Sequence, residues 1–418
     1  MKHFLTTLLC LSVSWASAQS FTPGKPSENG LSPDRLGRID QLVSDHVDQK
    51  RVNGAVVMVV RNGKVVYHKA FGYSDVEKQT AMKKDDIFRI ASQTKAITSL
   101  AAMMLFEEGK FLLDEPVSRY IPEFKNPKVL GTVNWADTSY TSQPAKSEIT
   151  IRQLLTHTSG IDYASIGSQE FKAIYAKAGI PSGIGTDNAV LADKMKKLGG
   201  MPLKHQPGEA FTYGLNTDVL GYLVEVLSGM SLDQFFRTRI FQPLGMNDTY
   251  FYLPKEKHAR LVPLYQVTEG KLSKVSNKVF DQVDLNYPTL PGTYYSGGAG
   301  LSSTTEDYAK FLQLFINKGE FNGVRLLSRK TVELMLTNQT QPPITEQFGL
   351  GFGLETETND YRSIYSLGTF SWGGAFSSSY WADPKEKMVC LIYTNLMASP
   401  YRNMNEKIKT LIYQSIVD

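Results

Sequence analysis

Residues 91–109 constrain the fold of this chain more than any other part of its sequence. They read Ala-Ser-Gln-Thr-Lys-Ala-Ile-Thr-Ser-Leu-Ala-Ala-Met-Met-Leu-Phe-Glu-Glu-Gly. Ser92 suits the beginning of a helix and Gly109 suits its end, because serine caps free backbone N–H groups and glycine adopts the left-handed conformation. Residues 96–106 are apolar on nearly every side, which is typical of a buried helix. We therefore predict a central buried helix here.

Ser92 and Lys95 lie three residues apart at the start of that helix, and therefore share a face. A helix N-terminus favours negative charge by roughly 0.3–1 kcal/mol, and its free N–H groups can hold an oxyanion. A lysine that is removed from water releases its proton more readily and can then activate a hydroxyl. We interpret Ser92 as a nucleophile and Lys95 as its activating partner. The spacing alone also fits a capping serine beside a solvated lysine, so the interpretation depends on other parts of the chain.

Length and composition restrict the class of protein. The 418 residues suffice for two domains or for one large domain with an insertion. The formal net charge of +4 is small, and no dense run of Lys and Arg indicates a nucleic-acid surface. The six His residues are scattered without a His-x-x-x-His pair, and we expect neither a metal nor a cofactor.

The N-terminus has the pattern of an export signal. Lys2 and His3 precede an apolar run at 4–15, and Ala-Ser-Ala follows at 16–18. We expect cleavage after Ala18 and export to the periplasm or the extracellular space. The apolar run is too short to span a bilayer, and we expect no stable membrane insertion. Cys390 then remains without a partner and is expected to be a packed core thiol.

Hydrophobic patterns predict strands near both ends of the chain. Residues 35–49 fit an amphipathic helix, and two β-rich runs at 54–60 and 64–68 are joined through Asn62-Gly63, a strong hairpin pattern. Further strands are predicted near the C-terminus, before a closing helix at 402–416; they are 349–355, 362–369, 377–382 and 387–393. The predicted fold class is α/β of the α+β type, with one antiparallel sheet built from both termini and flanked by helices.

The middle of the chain differs in character. Helical patterns at 149–156, 188–198 and 218–228 alternate with loops rich in Pro, Gly, Ser and Thr. We predict a sheet domain from 19–113 and 288–418, a mainly helical insertion at 114–287, and an active site between them. The predicted irregular segments are a loose arm at 19–33 and the stretches 127–147 and 265–293.

Two further segments complete a possible site for a nucleophilic serine, which needs a proton relay and an oxyanion hole. Tyr213 precedes a predicted helix in the insertion, where its phenol could project into a cleft; a tyrosine packed at a helix entry is the alternative. Gly373 and Gly374 permit close backbone approach, and we expect the N–H groups of Ser92 and Ala375 to form the oxyanion hole. A bulge or turn is the alternative there.

These segments together resemble the serine β-lactamase and penicillin-binding superfamily, most closely the class C β-lactamases and the family VIII carboxylesterases. The resemblance covers about 35–415, and its Ser-x-x-Lys motif falls on Ser92 and Lys95. Tyr213 matches the family's Tyr-x-Asn motif, but Leu215 stands where the Asn belongs and Asn216 follows one residue late. Further supporting phrases lie at 88–95, 154–160, 297–301 and 372–374, where Trp-Gly-Gly replaces Lys-Thr-Gly.

The resemblance implies a secreted serine hydrolase that forms an acyl-enzyme through Ser92, Lys95 and Tyr213, without a cofactor. Because Trp372 carries no charge for a substrate carboxylate, it implies a carboxylesterase on small or medium esters. The alternative is a β-lactamase or D-amino-acid peptidase of the penicillin-binding type, and a non-enzymatic binding protein comes third. The substrate is expected to be a small ester or amide, and the oligomeric state and the identity of the general base stay open. Candidate substrate-binding residues, each of which also fits a core position, are Trp372, Gly373, Gly374, Asn216, Tyr163 and Tyr295.

Overall fold

A computed structural model describes residues 21–185, 189–276, 278–280, 283–397, 399–401 and 403–418. The predicted export signal at 1–18 lies outside these ranges. The helices are α1 (Pro33–Leu36), α2 (Arg38–Asp48), α3 (Thr94–Glu107), α4 (Ile151–Leu155), α5 (Gln169–Ala178), α6 (Leu191–Gly199), α7 (Asn216–Ser228), α8 (Leu232–Phe236), α9 (Gln242–Leu244), α10 (Thr305–Ile316), α11 (Arg329–Met335) and α12 (Asn403–Tyr413). Short 3-10 turns include Ala91–Gln93, Lys255–Arg260 and Asp360–Arg362.

The strands are β1 (Thr22–Pro23), β2 (Gly54–Arg61), β3 (Lys64–Asp75), β4 (Thr80–Ala81), β5 (Phe88–Arg89), β6 (Lys128–Asn134), β7 (Ser139–Pro144), β8 (Tyr265–Thr268), β9 (Lys271–Lys274), β10 (Ser302–Ser303), β11 (Glu320–Phe321), β12 (Val324–Arg325), β13 (Gly353–Leu354), β14 (Phe370–Gly373), β15 (Ser379–Asp383), β16 (Met388–Tyr393) and β17 (Leu396–Met397). The main sheet runs in the order β1-β3-β2-β16-β15-β14-β13, with β4 paired to β3.

Strands from both ends of the chain meet at the centre of this sheet. β2 and β16 pair antiparallel from Met388 opposite Arg61 to Tyr393 opposite Val56. All eight residues of β2 are buried, because both faces of the sheet are covered. The predicted fold class, an antiparallel sheet from both termini flanked by helices, is therefore confirmed.

The two faces of the sheet bury different cores. Val56, Met58 and Val60 of β2 point into a core shared with α3, α7 and α10. Their neighbours Ala55, Val57 and Val59 point into a second core with α2 and α12. This alternation follows from the period of two in a strand. It leaves α3 enclosed between the sheet and the helices of the middle segment.

The central helix begins slightly later than its sequence pattern indicates. Residues Ala91–Gln93 form a 3-10 turn, and α3 continues from Thr94 to Glu107. Gly109 has φ of +71°, as expected for a residue just beyond a helix end. All residues from Thr94 to Leu105 are buried. Contacts with α7 and α8 enclose the face of α3 that points away from the sheet.

Several predicted elements were wrong, each for a physical reason. Instead of a loose arm, the described part of 19–33 contains β1, which pairs parallel with β3, and a fully buried Leu31. The stretch 127–147 contains the hairpin β6–β7, whose side chains are mostly exposed and therefore show no apolar alternation. The stretch 265–293 contains β8, which pairs with β9 and with β17.

The C-terminal strand predictions also needed revision. The run 362–369 is turn and loop after a 3-10 turn, and the strand begins only at Phe370. Only Gly353–Leu354 forms a strand within 349–355. In 349–355 the apolar residues Leu350 and Phe352 are buried from a mostly irregular segment, whereas in 362–369 Ile364 and Leu367 are exposed. Apolar residues in irregular segments therefore imitated the spacing of a strand. Within the described ranges, no helix has the length and apolar character that crossing a membrane requires.

Candidate active site

A strained turn carries Ser92. Ala91 is fully buried and has φ of +44°, a conformation that costs energy for a residue with a side chain. The preceding strand β5 holds this turn, since Arg89 donates a 2.8 Å hydrogen bond to the carbonyl of Val262 and also donates to the carbonyl of Leu285. Ser92 is partly exposed, while Ala91 and Gln93 are buried. The turn therefore presents the serine at the mouth of a buried helix.

Lys95 lies one turn deeper, with 3% of its surface exposed. Its Nζ donates hydrogen bonds of 2.8 Å to the phenol oxygen of Tyr163 and to the carbonyl of Gly298. The same nitrogen lies 4.5 Å from the ring centroid of Tyr213. Burial works to lower the pKa of Lys95, but the oxygens of Tyr163 and Tyr213 more than offset it and raise that pKa above the ordinary value. The structure thus differs from the expectation that removal from water deprotonates this lysine.

The glycine-rich segment 297–300 fits between α3 and α7. A Cβ on Gly297 would lie 2.4 Å from the carbonyl oxygen of Thr217, and one on Gly298 would lie 2.4 Å from Oδ2 of Asp218. This close approach directs the Gly297 carbonyl to Thr98, which donates a 2.6 Å hydrogen bond, and the Gly298 carbonyl to Lys95. The glycines therefore allow backbone oxygens to orient the lysine.

Tyr213 stands immediately before α7 in an aromatic enclosure. Its ring centroid lies 5.6 Å from that of Tyr163, 5.6 Å from that of Trp372 and 4.8 Å from that of His157. The indole Nε1 of Trp372 donates a hydrogen bond of 3.3 Å to the phenol oxygen. The predicted residues Lys95, Tyr213, Trp372 and Tyr163 thus come together, although they derive from four separate segments.

Asp218 is a neighbour of Lys95 that the sequence analysis missed. It is fully buried on α7, and Tyr294 donates a 3.3 Å hydrogen bond to its Oδ1. Oδ2 of Asp218 and Nζ of Lys95 both lie within 3.5 Å of the point where a Cβ on Gly298 would sit. Burial raises the pKa of Asp218 to about 6, and the charge of Lys95 limits that rise. The sequence signal that could have identified Asp218 is a carboxylate directly before the apolar run 219–224 of α7.

Asn216 does not line the cleft, in contrast to its predicted role in substrate binding. Its side chain is fully buried, accepts a short hydrogen bond from Ser159, and donates one of 3.0 Å to Nδ1 of His157. Burial and the charge of Lys95 lower the pKa of His157 well below its ordinary value. Both residues therefore form a neutral polar cluster that supports the loop under Tyr213.

Tyr295 also lies elsewhere than predicted. Its ring contacts Phe251 at 5.4 Å and Tyr252 at 6.0 Å between centroids, beside α7 and α8. The adjacent Tyr294 points inward to Asp218 instead. Neighbouring residues in an extended segment project to opposite sides, so the sequence alone did not distinguish these two tyrosines.

The strand end 373–375 lies against the serine turn. A Cβ on Gly374 would lie 2.4 Å from the carbonyl oxygen of Ile90, two residues before Ser92. Ala375 follows directly and is exposed. The oxyanion role of the N–H groups of Ser92 and Ala375 stays a prediction. Within the part of the chain that the structure describes, no group of three or more His, Cys, Asp or Glu side chains is arranged to hold a metal.

Comparisons with known proteins agree with this arrangement. A profile of the family described as Beta-lactamase matches residues 39–413. Esterase EstB from Burkholderia gladioli is 30% identical over 86% of this chain and 90% of its own length. Acyltransferase calJ from Penicillium decumbens is 29% identical over 77% of this chain and 78% of its own.

A solved structure shows the same fold. It is EstCE1, described as a hydrolase with promiscuous acyltransferase activity, which is 27% identical and covers 91% of this chain and 99% of its own with a TM-score of 0.78. The family match extends over nearly the whole described chain and includes the serine turn, the lysine and the tyrosine. The chain therefore belongs to the β-lactamase family and is a serine hydrolase of its esterase-like branch.

Proposed function

We propose that this protein is a carboxylesterase that forms an acyl-enzyme on Ser92. The observation that carries the proposal is the position of Trp372, which is uncharged and donates a hydrogen bond to Tyr213. A lysine there would supply a cation for a substrate carboxylate, whereas an indole supplies an apolar wall. The proposal is further supported by the similarity to Esterase EstB.

In the proposed reaction, Tyr213 is the general base. Because the pKa of Lys95 is raised, its amine carries a proton at neutral pH and is unavailable as a base. The Lys95 ammonium lies beside the Tyr213 ring, and the Trp372 N–H donates a hydrogen bond to the Tyr213 oxygen. The Ser92 hydroxyl then gives its proton to the Tyr213 oxygen as it attacks the ester carbonyl.

The later steps use the same groups in reverse. In the tetrahedral intermediate, the N–H groups of Ser92 and Ala375 face the negatively charged carbonyl oxygen. Each such donor raises the rate by roughly 10²–10³. Tyr213 returns its proton to the leaving alcohol oxygen as the C–O bond breaks. Water then attacks the acyl-enzyme carbonyl and transfers a proton to the Tyr213 oxygen. As the bond between the acyl carbon and the Ser92 oxygen breaks, Tyr213 passes that proton to the Ser92 oxygen, which frees the acid and restores both side chains.

The test is hydrolysis of p-nitrophenyl butyrate by the purified protein. We expect Ser92→Ala to lower turnover by roughly 10⁶. The matched control is Ser99→Ala in the same helix, since the buried Ser99 hydroxyl has no hydrogen-bond partner among the described residues. Retained activity in Ser92→Ala, or equal losses in both variants, would place the nucleophile elsewhere.

The substrate class is tested in the same assay. Nitrocefin hydrolysis should be slow beside ester hydrolysis, and a higher kcat/KM for nitrocefin would favour the β-lactamase alternative. Adding an alcohol measures transfer of the acyl group to a hydroxyl, an activity suggested by the names of calJ and EstCE1.

Export is also proposed, on the pattern of residues 1–18. N-terminal sequencing of the protein from its native cells should begin at Gln19. A mature protein that begins at Met1 would contradict export through this segment.

A further inference from the structure

A cavity of about 480 Å³ opens beside the turn that follows β14. Gly374 and Ala375 form part of its wall, and Gly374 lies so near Ile90 that a Cβ on it would be 2.4 Å from the Ile90 carbonyl oxygen. Phe376, on the same turn, shares a buried apolar cluster with Ala91, the residue before Ser92. The volume lies within the range of small-molecule sites in proteins, roughly 300–1,000 Å³. The turn that forms part of the cavity wall therefore also contacts the two residues that precede Ser92.

The walls change in character along this cavity. The part contributed by the middle segment and by the segment around β17 is mainly apolar, and its side chains are Ile166, Phe280, Leu396 and Met397. The opposite part lies where α2 ends and α12 begins, and it contains Arg51, His46, Tyr401 and Asn405. One side of the cavity is therefore mainly apolar, and the opposite side is polar.

Arg51 is the cation of that polar wall. Its guanidinium carbon lies 5.0 Å from the ring centroid of Tyr401, which orients the planar group. Within the described ranges, the Arg51 side chain makes no ion pair, and the cavity lining contains no Asp or Glu. By contrast, Arg61, at the other end of β2, pairs with Glu386 and Asp418. Arg51 therefore has its hydrogen-bond donors available to a ligand.

We propose that this cavity binds the acyl chain of the substrate, and that Arg51 binds a carboxylate at the far end of that chain. The proposal rests on the proposed esterase function and names its substrate class: esters of dicarboxylic acids with one free carboxylate. The acyl part suits the cavity because it stays attached to Ser92 through both half-reactions, while the alcohol must leave to admit water.

The charge and geometry of the site favour a carboxylate over a phosphate. A single guanidinium matches one carboxylate in charge and in its planar, two-pronged shape. A phosphate monoester carries close to two negative charges, and among the described residues the lining offers one Arg and no Lys. The apolar walls suit a chain of methylene groups between the ester and the carboxylate.

The experiment compares two series of p-nitrophenyl esters with the purified full-length protein. One series carries a free terminal carboxylate, from succinate to sebacate, and the other carries the methyl ester of the same acids. At the best chain length we expect a higher kcat/KM for the free carboxylate, with the difference mainly in KM because the contact is remote from the reacting bond. A wild-type protein that prefers the methyl ester at every length would overturn the proposal.

Variants of Arg51 complete the test. Arg51→Gln should lower kcat/KM for the free carboxylate by roughly 10- to 100-fold, the value of a charge-assisted hydrogen bond, and leave the methyl-ester series within about 2-fold. Arg51→Lys should retain part of the preference, because it keeps the charge without the planar fork. An unchanged preference in Arg51→Gln would also overturn the proposal.

The methyl-ester series separates the two proposals. Activity there that disappears in Ser92→Ala supports the esterase proposal, whatever Arg51 does. Absence of hydrolysis in both series would contradict the esterase proposal, and with it the assignment of the cavity.

Discussion

The indole nitrogen of Trp372 lies 3.3 Å from the phenol oxygen of Tyr213, and the two rings are tilted by 42°. On the other side, Nζ of Lys95 lies 4.5 Å from the Tyr213 ring centroid. One phenol therefore lies between an N–H donor and a cation. This position suits an oxygen that exchanges a proton with a reacting group.

Replacing Trp372 by Phe should keep the aromatic wall and remove the N–H donor. We expect kcat to fall by roughly 2- to 10-fold, because the hydrogen bond that positions the Tyr213 oxygen is lost. Steady-state kinetics on p-nitrophenyl butyrate checks this. Trp135→Phe is the control, since Trp135 is exposed between β6 and β7 and should leave kcat unchanged. Full activity in Trp372→Phe would mean that the indole acts only as a wall.

Replacing Tyr213 by Phe should remove the proposed general base without removing the ring. The expected loss in kcat is roughly 10²–10⁴-fold, the usual contribution of general acid–base catalysis. Tyr295→Phe should have no comparable effect, because Tyr295 contacts Phe251 and Tyr252. Comparable activity in the two variants would contradict the assignment of Tyr213.

Replacing Asp218 by Asn should change the pH dependence of catalysis. Burial raises the pKa of Asp218 to about 6, so this carboxylate ionises as pH rises through 6 and then supports the ammonium of Lys95. We expect kcat/KM of the wild-type protein to rise over that interval. In the Asn variant, kcat/KM should not rise over this interval and should reach a lower maximum. A pH–rate profile measures both changes.

Asp307→Asn is the matched control for Asp218→Asn. Asp307 is also buried on a helix, and burial raises its pKa to about 6, but its partner is Lys310. A native pKa above the ordinary value stabilises the fold at low pH, and this contribution is lost as pH rises through 6. Both variants should therefore flatten the unfolding free energy between pH 4 and 6, whereas Asp218→Asn alone should alter the pH–rate profile. The same profile change in both would refute a specific role of Asp218.

Replacing Gly298 by Ala should displace Lys95, because the Gly298 carbonyl accepts a hydrogen bond from its Nζ. The new Cβ would lie 2.4 Å from Oδ2 of Asp218, so the backbone that accepts a hydrogen bond from Lys95 must shift. We expect a loss of about 1–3 kcal/mol in unfolding free energy and a reduced kcat. Urea unfolding and kinetics measure both. Gly200→Ala is the control, because a Cβ there has no neighbour closer than 3.6 Å.

Local sequence determined the elements whose causes are local. The all-round apolar pattern of 96–106 allows only a buried helix, and the three-residue spacing puts Ser92 and Lys95 on one side of it. The strands at 54–60 and 388–393 are continuous apolar runs, which require cover on both faces. By contrast, the exposed hairpin β6–β7 contributes little to a core, and no hydrophobic pattern marked it.

Tertiary structure alone decided which groups surround the lysine. Tyr163, Tyr213, Asp218 and Gly298 reach Lys95 from segments 68 or more residues away, and long-range packing brings them together. That packing also decides whether Lys95 carries a proton. Removal from water favours the neutral amine, but the oxygens of Tyr163 and Tyr213 favour the ammonium. The sequence contained the nucleophile and its neighbour on one helix, because a helix is a local structure. The balance of charge around them depends on distances that only the folded chain defines.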